Sequence, residues 1–350
     1  MRMITADGPA ALEQAGHVEK SDNGDLLNTP EAAINIGGLA GQGYRLDAVT
    51  DLDPTTEEDG TVTSLAVGDD VYFYAVPSGV GDGRANLVAS KNATTPDGFT
   101  AATSRKFSGF HFGRTRPLDD AHAHVKTYTP AEEIVWNSVW DLLNRPSAPP
   151  EGMVRLPSGW WVTIYLLSVG SGSGANVVPV SRYNATPIKD DVYARRDLGI
   201  IAGRGGYVLP WAGLFDEYAE GAPEGEDAAN DTAWADTSNS GPATTGAVAK
   251  AVSSHNVVDA VGNLWDWLDN QHNTGTNYSD DRTVVEVGMY SADLRGEVYH
   301  DNWRSAIGGG DFDDGSRGGA GCVYWNAKPW VANGYVGVRG ASGPLRARSA

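Results

Sequence analysis

The chain has 350 residues, a formal charge of −19, 41% hydrophobic and 20% charged residues, and a sequence pI of about 4.6. That length holds two domains or one elaborated domain, with enough apolar residues for a globular core. Nucleic acid and anionic membrane surfaces are disfavoured as partners, because both need a basic patch, and the acidity itself needs no cause beyond solubility and self-repulsion.

Cys322 is the single cysteine, so no intramolecular disulfide and no paired-cysteine metal site is expected. The start, MRMITADGPAALEQ, lacks the charged and apolar regions of a secretory signal. No stretch reaches the roughly 18 apolar residues of a membrane span, so no membrane insertion is expected. The protein is expected to be made in a cytoplasm. If it works outside a cell, it travels by another route, such as on a virion.

In chain order, residues 1–50 carry little pattern beyond turns at Asn35–Gly38 and Gly41–Tyr44, with a short strand at Leu46–Thr50. Asp51–Gly60 reads as an acidic loop. Residues 60–116 read as β-rich, with short strands broken by Gly68-Asp69-Asp70 and Pro77-Ser78-Gly79 and another at Asn86–Ser90. Lys106–Arg116, KFSGFHFGRTR, is expected to be a strand packing Phe107, Phe110 and Phe112. Thr129-Pro130-Ala131-Glu132 resembles a helix start. With Ile134, Val135, Val139, Leu142 and Leu143 at helical spacing, it predicts a helix over 130–144.

Leu156–Gly170 is a β candidate, 187–197 a helix candidate, and Val208–Phe215 is expected to be β or irregular. Ala219–Gly246 is long, acidic and aperiodic, which marks functional or disordered loops. In Ser253–Asn270, SSHNVVDAVGNLWDWLDN, the aromatic and apolar residues read as core. Asn256, Asp259 and Asn263 are expected to bond backbone inside the fold. Val284–Gly288 is a strand candidate.

The tail, Trp303–Ala341, alternates glycines with tryptophans and tyrosines and shows no long alternating strand. Rigid aromatics among small and polar residues suit a binding face. A packed glycine-rich corner fits the same composition.

Two motifs carry a resemblance. Asn256, Asp259, Gly262, Asn263, Trp265, Asp266 and Trp267 follow N-x-x-D-x-x-GN-x-W-[ED]-W, a pattern similar to formylglycine-generating-enzyme-type C-type lectin folds. Gly309-Gly310-Asp311-Phe312, Tyr324-Trp325-Asn326, Pro329 and Val336-Gly337-Val338-Arg339 resemble the variable region of diversity-generating-retroelement target proteins, and Gly109–Arg114 resembles a segment upstream in that class. The resemblance extends over residues 104–341.

It implies an α+β protein: a β-rich N-terminal region, 1–116, then a C-type lectin domain, 117–350, with a variable segment at 303–341. It implies a face diversified by adenine-directed mutagenesis, which turns Asn codons into Asp, Phe, Arg, Cys, Val, Tyr, Gly, Ala or Ser, but not Glu, Gln, Met, Lys or Trp. The tail has no Glu, Gln or Met. The resulting expectation is a non-enzymatic receptor-binding protein of a phage or prophage, at a tail-fibre tip. Its ligand would be a cell-surface protein or glycan, and its candidate contact residues Asp311, Phe312, Asp313, Arg317, Cys322, Tyr324, Asn326, Trp330, Val331, Asn333 and Tyr335. Trp325, Pro329, Gly337 and Arg339 are expected to hold that face. Phage fibres of this kind are often homotrimers and some relatives act as monomers; the sequence does not choose.

An oxidase of the same fold is the alternative. The formylglycine-generating mechanism uses a pair of cysteines, which one chain here cannot supply. The H-x-x-x-H-x-E motif of iron-dependent sulfoxide synthases is absent from the seven histidines. A metal site at Asp119, Asp120, His122 and His124 is a weaker reading, because short His pairs arise by chance. Asp280-Asp281 lacks the glycine and terminal glutamate of a calcium loop. No cofactor and no metal are expected.

Overall fold

The computed structural model describes residues 12–38, 41–116, 129–191, 193–223, 241–273, 282–286, 295–299, 303–314, 318–330 and 332–345. Arg317, Val331, the His122/His124 loop, Asp280, Asp281 and residues 224–240 of the acidic loop lie outside them. The chain divides into two compact units: Met1–Gly113 with Glu132–Pro146 and Pro344–Ala350, and Arg114–Ala131 with Ser147–Gly343.

The first unit is built of strands. β1 (Leu12–Gln14), β4 (Ala32–Ile36) and β5 (Gln42–Leu46) form one sheet, and β2 (Glu19–Lys20), β3 (Leu27–Thr29) and β6 (Val49–Leu52) a second. The third contains β7 (Asp69–Pro77), β8 (Ala85–Ser90), β9 (Arg105–Thr115) and β10 (Ala131–Ile134), with β11 (Trp140–Asp141) also pairing β9. Phe73, Phe107 and Phe110 are buried in one core with Leu27, Ile34 and Val71. The expected strand at 106–116 is therefore present and packs its phenylalanines. Gly109 within it serves close approach: a Cβ there would lie 2.7 Å from the Val71 carbonyl oxygen and 2.8 Å from the Trp140 ring.

The helix expected over 130–144 is not formed. The segment is β10, a 3-10 turn at Trp136–Ser138 and β11. β9 offers strand partners, and Ile134, Val135, Val139 and Trp140 are all buried in extended or turn conformations. Ser138 Oγ donates to Val135 O at 2.7 Å and accepts the His111 N–H at 2.9 Å. Sheet pairing thus outweighs helical spacing among these β-branched residues.

The second unit holds the two α-helices among the described residues. α1 (Arg195–Arg204) starts after most of the predicted 187–197 segment. Pro187 bridges to Ser168 and Lys189 to Gly337, in place of the first helical turns. Of the β or irregular structure expected at Val208–Phe215, the first half is found, with Val208 bridged to Ala341, and the second half is instead the start of α2 (Ala212–Ala219). Its first N–H, from Ala212, donates to Asn270 Oδ1 at 2.6 Å, a cap 58 residues away that no local pattern shows. The strands are β12 (Met153–Arg155), β13 (Trp161–Thr163), β14 (Leu167–Ser171), β15 (Val178–Ser181), β16 (Trp265–Asn273), β17 (Arg282–Glu286), β18 (Arg295–Tyr299), β19 (Trp303–Gly309), β20 (Gly319–Ala327), β21 (Val336–Gly337) and β22 (Ala341–Ser342). The main sheet runs β20-β19-β16-β21, with β16 parallel to β21. The tail therefore does contain long strands, contrary to its glycine-rich appearance. Among the described residues this is a β-dominated α+β arrangement with two helices.

At its centre lies Arg339, fully buried. Its Nε donates to Asp266 Oδ2 at 3.0 Å. Nη1 donates to the carbonyls of Thr163 and Ile164 at 2.8 and 2.9 Å, and Nη2 to those of Val258 and Asp259, each at 3.0 Å. The Tyr218 hydroxyl donates to the same Asp266 oxygen at 2.7 Å. Removing the guanidinium strands a buried carboxylate and four carbonyls, so Arg339→Met is expected to cost about 3–5 kcal/mol. Arg339→Lys is expected to recover only part of that, for lack of the planar fork. Urea unfolding monitored by tryptophan fluorescence reads both.

Candidate functional site

The site begins in the turns that lead into β16. Asn256, Asp259 and Asn263 have φ of 62°, 54° and 62°, a left-handed conformation that Asn and Asp tolerate better than other residues with a side chain. Their side chains do bond backbone, as expected. Asn256 Oδ1 accepts the Arg116 N–H at 3.1 Å, Asp259 Oδ2 that of Gly246 at 2.8 Å, and Asn263 Oδ1 that of Ala243 at 3.0 Å. This polar frame fixes the path into Trp265.

β19 pairs Ser305 with Ala327 but Ile307 with Tyr324, so two steps on β19 meet three on β20. Gly308 pairs with Val323 and Gly309 with Gly319, another departure from regular register. Such bulges bend a strand and re-aim its side chains. A regular strand on a packed sheet hides alternate residues. Here Tyr324, Trp325 and Asn326 are exposed in succession. The Gly309 turn permits this start: its φ is +98°, and a Cβ would sit 2.7 Å from the Ala260 carbonyl oxygen.

Tyr324 and Tyr335 are 47% and 44% exposed. Phe312, half-buried, stacks on Tyr335 with ring centroids 5.8 Å apart. Tyr324 lies 6.2 Å from the Trp265 ring. Asn326 Nδ2 donates to the Tyr324 hydroxyl at 3.2 Å, and its Oδ1 accepts Arg304 Nε at 2.6 Å. Asp313 and Asn333 are exposed, and Asn333 Oδ1 accepts the Tyr335 N–H at 3.1 Å. These residues form one aromatic and polar face.

Three expected contacts sit differently. Asp311 is buried beneath the face, where its Oδ1 accepts the Asp313 N–H at 2.8 Å. Cys322 is half-buried; burial, then the Asp314 charge, pushes its thiol pKa up, which disfavours the reactive thiolate. Trp330 is half-buried. Of the expected supports, Gly337 and Arg339 are buried, and the Pro329 carbonyl accepts the Arg195 N–H at 3.2 Å. Trp325 is 43% exposed, packed edge-on to His272 at 5.5 Å, so it is also available at the surface.

Residues 17–141 match the family model described as the Mtd second domain. The chain is 28% identical over 298 residues to the tail fiber receptor-binding protein of Bordetella phage BPP-1, covering 80% of this chain and 72% of that protein. Two solved structures, the Major Tropism Determinant U1 and P3c variants, superpose with TM-scores of 0.68 and 0.69 at 22% and 21% identity, each covering 96% of this chain and 86% of theirs. The chain shares the fold of the Major Tropism Determinant variants over most of its length, in line with the expected C-type lectin form of an α+β fold. The match at 17–141 reaches well upstream of the residues that carried the resemblance in sequence.

Two residues at this candidate face were not singled out from sequence as part of it. Trp265 reads as core in its motif, and its partial exposure depends on where the tail lies. Asp190 carries no local signal at all. Its Oδ1 accepts the N–H groups of Gly334 at 2.8 Å and Val336 at 3.1 Å, holding the loop that presents Asn333 and Tyr335. Burial pushes its pKa up to about 6, against the pull of those N–H bonds.

Because the folded value lies above the ordinary 3.8, this group's favourable contribution is complete below pH ~4 and is lost as pH rises through about 6. Asp190→Asn keeps an oxygen acceptor without the charge. It is expected to stabilise the chain by about 1 kcal/mol at pH 7.5, with the gain vanishing at pH 4. Urea unfolding midpoints across pH 4–7.5 check the sign.

Proposed function

We propose that this chain is the receptor-binding protein of a phage or prophage tail, and that Phe312, Asp313, Tyr324, Asn326, Asn333 and Tyr335 contact a host-surface protein or glycan. The exposure of Tyr324 on a bulged strand, and of Tyr335 stacked on half-buried Phe312, carries this reading. Tyrosines give large contact area at low entropic cost, with Asp and Asn adding directional bonds. Arg317 and Val331 belong to the same proposed set by position in the tail. Asp311 then acts from below, and Cys322 at the flank. The related phage protein is by its name a tail fiber receptor-binding protein, and the same role at a virion tail is proposed here. We take the protein to be a binding module and not an oxidase, since the single cysteine cannot assemble the paired-thiol site.

The double variant Tyr324→Ala, Tyr335→Ala is expected to weaken adsorption of the purified chain to host cells by about 2 kcal/mol or more, roughly 30-fold, with little change in melting temperature. Unchanged adsorption would remove the reading. Sequences of the gene from several isolates are expected to differ mainly at Phe312, Asp313, Tyr324, Val331 and Tyr335; uniform tails with scatter elsewhere would count against diversification.

A further inference from the structure

We propose that Asp190, which lies outside the tail, is the positioning residue that holds Asn333 and Tyr335 in place for ligand; this rests on the reading of that face as the binding surface. Asp190 is 1% exposed. One of its oxygens, Oδ1, accepts the Gly334 N–H at 2.8 Å and the Val336 N–H at 3.1 Å. These are the two amides that flank Tyr335. The main chain of Asp190 adds a third bond, from its N–H to the Val336 carbonyl at 2.8 Å, and Lys189 beside it bridges to Gly337. Gly334 has a φ of +81°, a left-handed conformation that glycine adopts freely. Asp190 is itself anchored from the other side. The Ile188 N–H donates to the carbonyl of buried Leu167 at 2.8 Å, and Pro187 bridges to Ser168.

Two features separate this carboxylate from a packing residue. Among the described residues its Oδ2 has no hydrogen-bond partner, and a buried polar atom left unpaired costs stability. An apolar or neutral side chain would cost the fold less, but an ionised oxygen bonds an N–H more strongly. Stability is often given up in this way where a site must be held. The second feature is where the bonds end. All of them reach main-chain groups of the loop, so they survive replacement of the side chain at 333 or 335. Asn333 Oδ1 also bonds within this turn, to the Tyr335 N–H, but that bond goes when Asn333 changes. Holding a loop in its bound conformation reduces the ordering cost of binding. Asp190 thus serves ligand capture by Asn333 and Tyr335 without touching the ligand.

The test uses the full chain and first needs no ligand. Asp190→Ala removes the acceptor. Amide hydrogen exchange at Gly334 and Val336 is expected to quicken roughly tenfold or more, with α2 and β9 unchanged. Asp190→Asn, which keeps an oxygen acceptor, is expected to retain the protection, and Asn333→Ala to leave both amides protected. Exchange that is unchanged in Asp190→Ala, quickened uniformly, or quickened as much by Asp190→Asn or Asn333→Ala overturns the proposal.

A second arm uses synthetic antibody fragments selected on the native chain and sorted by sensitivity to Tyr335→Ala. Sensitive fragments are expected to bind Asp190→Ala about tenfold more weakly and Asp190→Asn as they bind the native chain, while insensitive ones bind all three equally. Equal binding of Asp190→Ala by both classes overturns the proposal. Host cells that adsorb the chain regardless of Tyr324 and Tyr335 would end the receptor reading while leaving the exchange result intact.

Discussion

The buried guanidinium of Arg339 is the constraint on which the lectin-like unit depends. A charge that deep is tolerated only when paired and saturated with hydrogen bonds. Saturating it brings together β13, the turns at 256–263, Asp266 of β16 and Tyr218 of α2. Arg339 lies a few residues beyond the candidate face. The same bonds that satisfy the charge therefore pin the C-terminal end of the segment that presents Tyr335. On the other side of that segment, the Asp190 carboxylate gathers the N–H groups of Gly334 and Val336. The presented loop is clamped by a cation at one end and an anion within.

The face itself departs from sheet regularity. Two interruptions of register in β20 let three consecutive side chains reach solvent, whereas a regular strand would bury alternate ones. Bulges also twist an edge strand away from casual pairing with other chains. A rigid frame below and an irregular rim above separate two demands. The frame satisfies buried polar groups, and the rim offers aromatic area. Changes at Tyr324, Asn326 or Tyr335 touch few buried groups, so the rim can vary without unfolding the frame. In the same way the overall path of the chain is shared with solved relatives at 21–22% identity. The frame depends on a modest set of turns, pairings and buried bonds, and most surface positions do not enter it.

What the sequence determined by itself follows from short-range chemistry. The strand at Lys106–Arg116 was legible because aromatics alternate with small residues. The polar frame was legible because Asn256, Asp259 and Asn263 sit among apolar residues and must bond something. The aromatic and glycine pattern of the tail singled out Phe312, Tyr324 and Tyr335, of which the tyrosines are exposed and Phe312 half-buried. Tertiary structure decided the rest, for a physical reason each time. The segment 130–144 has helical spacing, but β9 supplied strand partners and the β-branched residues took them. α2 is capped by Asn270, a residue distant in sequence. Asp311 lies beneath the face because its carboxylate turns back to accept the Asp313 N–H, and Trp265 is partly exposed because the tail covers only part of it. Local patterns record what a residue can bond or bury; which partner arrives is settled by contacts between segments dozens of residues apart, and those no local pattern contains.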